Sequence, residues 1–378
     1  MSGYVLQKED VAPLLEGLAV LGTGGGGSPL WGKAILEKEF TAGREINIVD
    51  PQDVPDDALV VSGGLMGSVK TLEEMSISEL LNKWEKRFEL IEASRVMEAY
   101  LGQKIDYVIP FEVGGLNTPV IMAMAARMGI KTVDGDALGR SAPETQMTSF
   151  LAHGVSLTPM PLVDAVGNAI IVTGQSSPVF ADEIGRWMVT RGGGMGANNH
   201  YPMSGATLKK AAVPNSISFA LMIGREILTA RQKRVDPVAA VTAAVKGFPL
   251  FQGEIISMQG EDKGGFYITN VTLIGMKEFG GSEARLVIKN ETMALWVNDS
   301  LKAVFPDLVC MLDPQSGEGI MSVDLVKGKQ LYLIGMPCHP RLSDGLKNSA
   351  AAEAFGGQRY GHPELKYVPM EELNAVRE

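Results

Sequence analysis

Short blocks of glycine, each set between two well-patterned stretches, constrain this chain more than any other feature. They are Gly22-Thr23-Gly24-Gly25-Gly26-Gly27-Ser28-Pro29, Gly63-Gly64-Leu65-Met66-Gly67-Ser68, the pair Gly114-Gly115, and Gly192-Gly193-Gly194-Met195-Gly196. Glycine makes up 44 of 378 residues, about 12% where ~7% is usual. An aperiodic glycine excess suits a flexible chain when its surroundings are low in complexity. Here the surroundings are patterned, so the blocks read as tight loops at which backbone approaches a ligand or another element.

Between the blocks the chain alternates. Val11 to Leu21 has helical apolar spacing, and Leu30 to Phe40 follows as a second helix with Pro29 in its first turn. Glu45 to Val49 and Ala58 to Ser62 read as strands, Gly63 to Ser68 as a turn, and Ser76 to Leu101 as one long amphipathic segment. The grammar then repeats: Tyr107 to Pro110 (strand), Thr118 to Met128 (helix), Lys131 to Val133 (strand), Glu144 to Leu151 (helix). This predicts an α/β domain with a mainly parallel sheet over residues 1–165, whose loops converge at the carboxyl ends of the strands. Beyond it come a hairpin turning at Gly167-Asn168, helices from Ala181 to Lys246, and strands from Glu254 to Ile334. These predict an α+β, strand-rich domain over residues 166–378, with the site between the two domains.

Charge and cysteine usage narrow the classes. Lys+Arg number 34 against 44 Asp+Glu, a net charge of −10, with no long basic run, which argues against nucleic acid and membrane surfaces as partners. Cys310 and Cys338 are too few for a disulfide framework. No apolar run of membrane-spanning length appears, and the opening residues lack a signal-peptide pattern. The expectation is a cytoplasmic, homo-oligomeric protein acting on a small molecule.

Four segments carry candidate chemistry. The loop from Gly22 to Gly27 offers the amides of Gly24, Gly25 and Gly26 to a ligand, or forms a tight packing corner; no Lys-Ser/Thr follows, so it is no P-loop. Glu112 stands just past a strand, where α/β sheets place catalytic groups, and Asn117 opens the next helix. Asp134, Asp136, Arg140 and Glu144 share one loop, as an acid/base set, as oxygen ligands for a divalent cation, or as a salt-bridged turn. His200 precedes a helix that Ser204 would cap, and is the best placed histidine for substrate contact. No His-x-x-x-His or Cys-x-x-Cys spacing occurs, so a sequence-local zinc motif is excluded, while a divalent metal such as zinc held by distant residues such as Asp134, Asp136 or His200 is left open.

Taken in order, the motifs Leu21 to Pro29, Gly63 to Ser68, Pro110 to Asn117, Val133 to Met147, Pro306 to Asp313 and Phe355 to Gly357 resemble the former DUF917 family. That family is described as S-methyl thiohydantoin desulfurase-like. The resemblance covers nearly the whole chain and implies a hydrolase acting on a small hydantoin-type ring, or a non-catalytic subunit that accompanies a hydantoinase or oxoprolinase. What such a hydrolysis requires points to Glu112 or Asp136 as the base for water, with the other of the two or Glu144 as the proton donor. Gly24, Gly25, Gly26, Met66, Asn117, Asp134, Arg140 and His200 would surround the substrate.

Overall fold

The structure is a computed structural model that describes residues 3–67, 76–263 and 266–375. Ser68, Gly264 and Gly265, where the sequence suggests turn residues, lie outside the described residues. The first sheet takes β1 (Tyr4–Val5), β2 (Asn47–Val49), β3 (Leu59–Gly67), β4 (Tyr107–Pro110) and β5 (Lys131–Val133). After the short β6 (Gly135–Asp136) it continues with β7 (Met160–Asp164), β8 (Ala169–Val172) and β9 (Met195–Ser204), in the order β1-β2-β5-β4-β3-β9-β7-β8. Strands β2, β5, β4 and β3 pair in parallel, and antiparallel strands flank them on both sides. The sheet therefore draws β8 and β9 from beyond residue 165. Helices Pro29–Thr41, Ile77–Trp84, Glu89–Leu101 and Asn117–Met128 supply apolar residues to a core shared with β3 and β4.

The second sheet is antiparallel throughout. After β10 (Val213–Pro214), which pairs with β6, it comprises β11 (Phe248–Lys263), β12 (Phe266–Gly275), β13 (Glu283–Lys289), β14 (Glu291–Val297), β15 (Ser300–Val304), β16 (Leu308–Leu312) and β17 (Gln330–Met336). The two-domain α/β plus strand-rich architecture is thus present. The helices Val11–Leu21, Ser216–Lys233 and Pro237–Ala244 join them, packing Leu14, Leu18, Ile223 and Val241 into one core with Leu308, Cys310 and Ile334. The first two of these helices touch backbone to backbone. A Cβ on Gly17 would fall 1.7 Å from the Ala220 carbonyl oxygen, and one on Gly224 would fall 1.6 Å from that of Pro13.

Four local expectations differ from the structure, the first being the helix expected over Glu144 to Leu151, which is only the single turn Ser149–Ala152 because Thr148 caps it there by accepting the Leu151 N–H. Gly63 to Gly67 is not a turn but the end of β3, because β9 lies alongside as far as the pairing of Gly67 with Met195. The segment before Ser204 is that strand rather than a loop, though Ser204 does cap the helix Gly205–Ala211 by accepting the Thr207 N–H at 3.2 Å. The long amphipathic run divides into two helices between Trp84 and Glu89, where Trp84 stacks on Phe88 at 4.2 Å and donates to the Glu89 carboxylate at 2.9 Å.

The first glycine loop is where the domains close. Thr23 Oγ1 accepts the Met311 N–H and donates toward the Ile320 carbonyl, the Gly24 N–H donates to Ile320 O at 3.2 Å, and Ser322 donates to Gly24 O. Gly24 has φ +94°, and a Cβ there would lie 2.9 Å from Asn290 O. Gly24→Ala is expected to destabilise the protein by at least about 2 kcal/mol, from backbone strain plus overpacking. Gly129, at φ +70° with nothing near its Cβ position, is the control: Gly129→Ala should cost about 1–2 kcal/mol. Denaturant melts of both variants check the ordering.

Candidate functional site

The parallel strands deliver their carboxyl ends to one edge. There the β3 end, the loop after β4, the helix Pro178–Arg191, β9 and the β13–β14 corner enclose a cavity of about 130 Å³. An engineered protein cavity of about 150 Å³ holds benzene, so the space suits one small ring. Gly25, Met66, Glu112, Asn117, Glu144 and His200, all singled out by the sequence, line it. Trp31, Asp182, Arg186, Asn290 and Glu291 line it as well.

Glu112 sits just past β4 and is almost fully buried. One carboxylate oxygen accepts the Asn117 side-chain N–H at 2.7 Å and the other the Ala142 N–H at 2.8 Å. Asn117 is itself oriented by accepting the Leu65 N–H at 3.2 Å. Glu291 arrives from the other domain, 1% exposed, and its Oε2 has no hydrogen-bond partner among the described residues. A Cβ on Gly25 would lie 1.7 Å from Glu291 Oε1, so glycine at that position makes room for the carboxyl.

Burial pushes both carboxyls above the ordinary range, and the charge of Glu112 raises Glu291 further, while the Arg140 guanidinium pulls both down. The two N–H donors on Glu112 favour its ionised form, whereas the partnerless oxygen of Glu291 is better served by a proton. With one proton between them, Glu112 is the better placed for the ionised form and Glu291 for the neutral one. Burial drops His200 to about 3, so it is neutral. Its ring meets Phe111 and Tyr201 edge-on at 5.5 and 5.1 Å, and its Nδ1 is buried without a partner among the described residues. It can exchange hydrogen bonds with a ligand but does not titrate in the working range.

The remaining expected residues lie outside the cavity or are already engaged. Asp134 caps the helix Ser216–Lys233, accepting the N–H groups of Ile217 and Ser218 at 3.0 Å. Asp136 accepts the Leu138 and Gly139 N–H groups behind the cavity, where burial lifts it to about 7. Neither joins His200, and no group of three His, Cys, Asp or Glu is placed to hold a metal among the described residues. Arg140 donates across the domain boundary to the carbonyls of Pro306, Asp307 and Thr292, with its guanidinium 4.5 Å from the Phe305 ring centre. Burial lowers it to about 10, still a cation at neutral pH. Glu144 touches the cavity, but Lys289, Arg359 and Gln146 occupy both its oxygens. The N–H groups of Gly24 and Gly26 bond Ile320 O and Gly22 O.

Glu291 was not among the residues singled out. Its signal is a glutamate opening an otherwise apolar strand directly after Lys289-Asn290. Asp182 and Arg186 are a second omission: Arg186 donates to Asp182 at 2.7 Å and to Pro143 O at 2.8 Å at the cavity wall.

Sequence models of two domains match the chain in succession: S-Me-THD-like, N-terminal domain, over residues 9–174, and S-Me-THD-like, C-terminal domain, over residues 176–370. The crystal structure of a protein from Chromobacterium violaceum superposes with a TM-score of 0.77 at 22% identity, covering 97% of this chain and 100% of that one, a likeness of fold. No functionally curated protein matches the chain. No helix among the described residues is long and apolar enough to cross a membrane.

A carboxyl raised by folding binds more protons in the native than in the unfolded state at pH values between its two pKa values, so its contribution to stability falls as pH rises through that window. Removing Glu291's titration should therefore make Glu291→Gln progressively more stable relative to the wild type from about pH 5 to about pH 8. Paired thermal melts across that range test the sign; a difference that is flat or shrinks with pH contradicts the raised carboxyl.

Proposed function

The chain belongs to the S-Me-THD-like family, and from that premise we propose that its cavity hydrolyses an S-methyl thiohydantoin or a closely related small heterocycle. The observation that carries this reading is the pair of buried glutamates, Glu112 and Glu291, one from each domain, at the wall of a ring-sized cavity. Hydrolysis at the ring carbon bearing sulfur needs a base for water and an acid for the ring nitrogen.

The steps close on these two groups. Glu112 takes a proton from water as its oxygen bonds the ring carbon, and the C=N π pair moves to nitrogen, which takes the Glu291 proton. The tetrahedral adduct then loses its hydroxyl proton to Glu291 as the C–S bond breaks, and Glu112 protonates the leaving sulfur. Methanethiol and the hydantoin carbonyl result, with both carboxyls back in their starting states. His200, neutral and with an unused nitrogen, hydrogen-bonds the ring, and Met66 and Trp31 supply apolar wall.

Purified protein should release free thiol from an S-methyl thiohydantoin panel, with kcat/KM bell-shaped in pH around neutrality. Glu112→Gln and Glu291→Gln should each lower kcat by about 10²–10⁴-fold, while His200→Phe should act mainly through KM. Wild-type turnover in Glu112→Gln would refute the assignment, and saturable binding without thiol release would favour a binding subunit.

A further inference from the structure

Lys289, a buried group that this chemistry does not use, is 3% exposed and lies one residue from the corner that brings in Glu291. Lys289 and Glu291 are register partners across the β13–β14 turn, separated only by Asn290, which adopts φ +60°. A hairpin reversal this tight leaves the corner little support of its own, and a β-bulge at Val287/Ile288 loosens the ladder just before it.

Two contacts hold the corner in place. On one side it presses against Gly24 and Gly25, where Cβ atoms would meet Asn290 O at 2.9 Å and Glu291 Oε1 at 1.7 Å. On the other, Lys289 Nζ bonds the Glu144 carboxylate of the first domain and Arg359 O at 2.9 Å. Glu144 is in turn held by the Arg359 guanidinium and by Gln146 at 2.7 Å. A glutamate lining the cavity is thereby committed to a lysine whose strand neighbour presents another glutamate to the same cavity.

We propose that Lys289 is a positioning residue, whose buried ion pair with Glu144 fixes the Asn290 corner and so sets where Glu291 enters the cavity. The proposal rests on the hydrolase reading only in giving Glu291 a task; the clamp is a property of the protein without substrate. The charged groups facing Glu291 are Glu112 and Arg140, and those around Lys289 are Glu144, Arg359, Asp182, Arg186 and Glu291 itself.

The test compares Lys289→Met, Lys289→Arg and Asn290→Gly in the full chain by pH-difference infrared spectroscopy of the protonated carboxyl band that Glu291→Gln removes, together with thiol-release kinetics. If the clamp positions Glu291, Lys289→Met lets the carboxyl relax toward water and its titration moves down toward the ordinary glutamate range. If Lys289 acted only as a nearby positive charge, its loss would move that titration up. A downward shift, kcat reduced about 10–100-fold with KM nearly constant, and recovery in Lys289→Arg support the clamp. An upward or absent shift overturns it. Asn290→Gly, which keeps the backbone angle accessible but frees the corner, should shift the titration downward even where Lys289→Met fails to fold; an unchanged band there also overturns it. If no ring is turned over by the wild type, the hydrolase reading fails while the infrared titration still decides the clamp.

Discussion

The fit of the β13–β14 corner against the loop at Gly24 and Gly25 is the constraint on which the site depends. It brings a carboxyl from one domain to the wall of a cavity that a carboxyl of the other also lines, so close to Gly25 that a single methyl group there would collide with Glu291. Thr23 and Ser322 tie the same loop into the second domain through backbone groups of Met311, Ile320 and Gly24. The glycines therefore act by removing side chains where two backbones meet. Gly17 and Gly224 do the same between helices that join the domains.

Around that contact the protein buries an unusual density of charge. Arg140 gives its donors to three carbonyls of the second domain and to Ser141 O, and among the described residues to no carboxylate, so its positive charge remains available to the glutamate pair. It lowers both carboxyls without bonding either. Desolvation dominates nonetheless, because no cation among the described residues hydrogen-bonds either carboxyl. Glu144 lies at the opposite extreme, enclosed by two cations and an amide. Three glutamates line one cavity, and their neighbours alone set them apart: one held by two N–H donors, one with a partnerless oxygen and one enclosed by cations.

Much of this was legible along the chain. The strand–loop–helix alternation located the parallel core, and the positions of Glu112 and Asn117 at a strand's carboxyl end placed them in the cavity. Met66 and His200 also line it, although His200 comes from a strand where the sequence suggested a loop. The exceptions share a cause. Asp134 and Asp136 look like catalytic carboxylates because their loop position is right, yet nearby backbone N–H groups claim them, one at a helix start and one in its own turn. Gly63 to Gly67 looks like a turn because glycine is the usual turn residue, and only its partner β9 makes it a strand. Glu291 escaped notice because its meaning lies in Gly25, far away in sequence, and no local pattern encodes that contact.

A site divided between domains also links charge to geometry. Each carboxyl is raised by its enclosure, and Glu291 additionally by Glu112. With one shared proton, Glu112 can stay ionised on its two N–H donors while neutral Glu291 occupies a space that offers its Oε2 no partner. Loss of that proton leaves two buried anions facing each other across the domain boundary, with one buried arginine nearby to offset them. Repulsion and desolvation then both favour separating the β13–β14 corner from the first domain, since either carboxyl gains hydration by leaving. The singly protonated pair is thus the state that burial of the corner favours, and the fit of the corner against the first glycine loop is linked to pH through it.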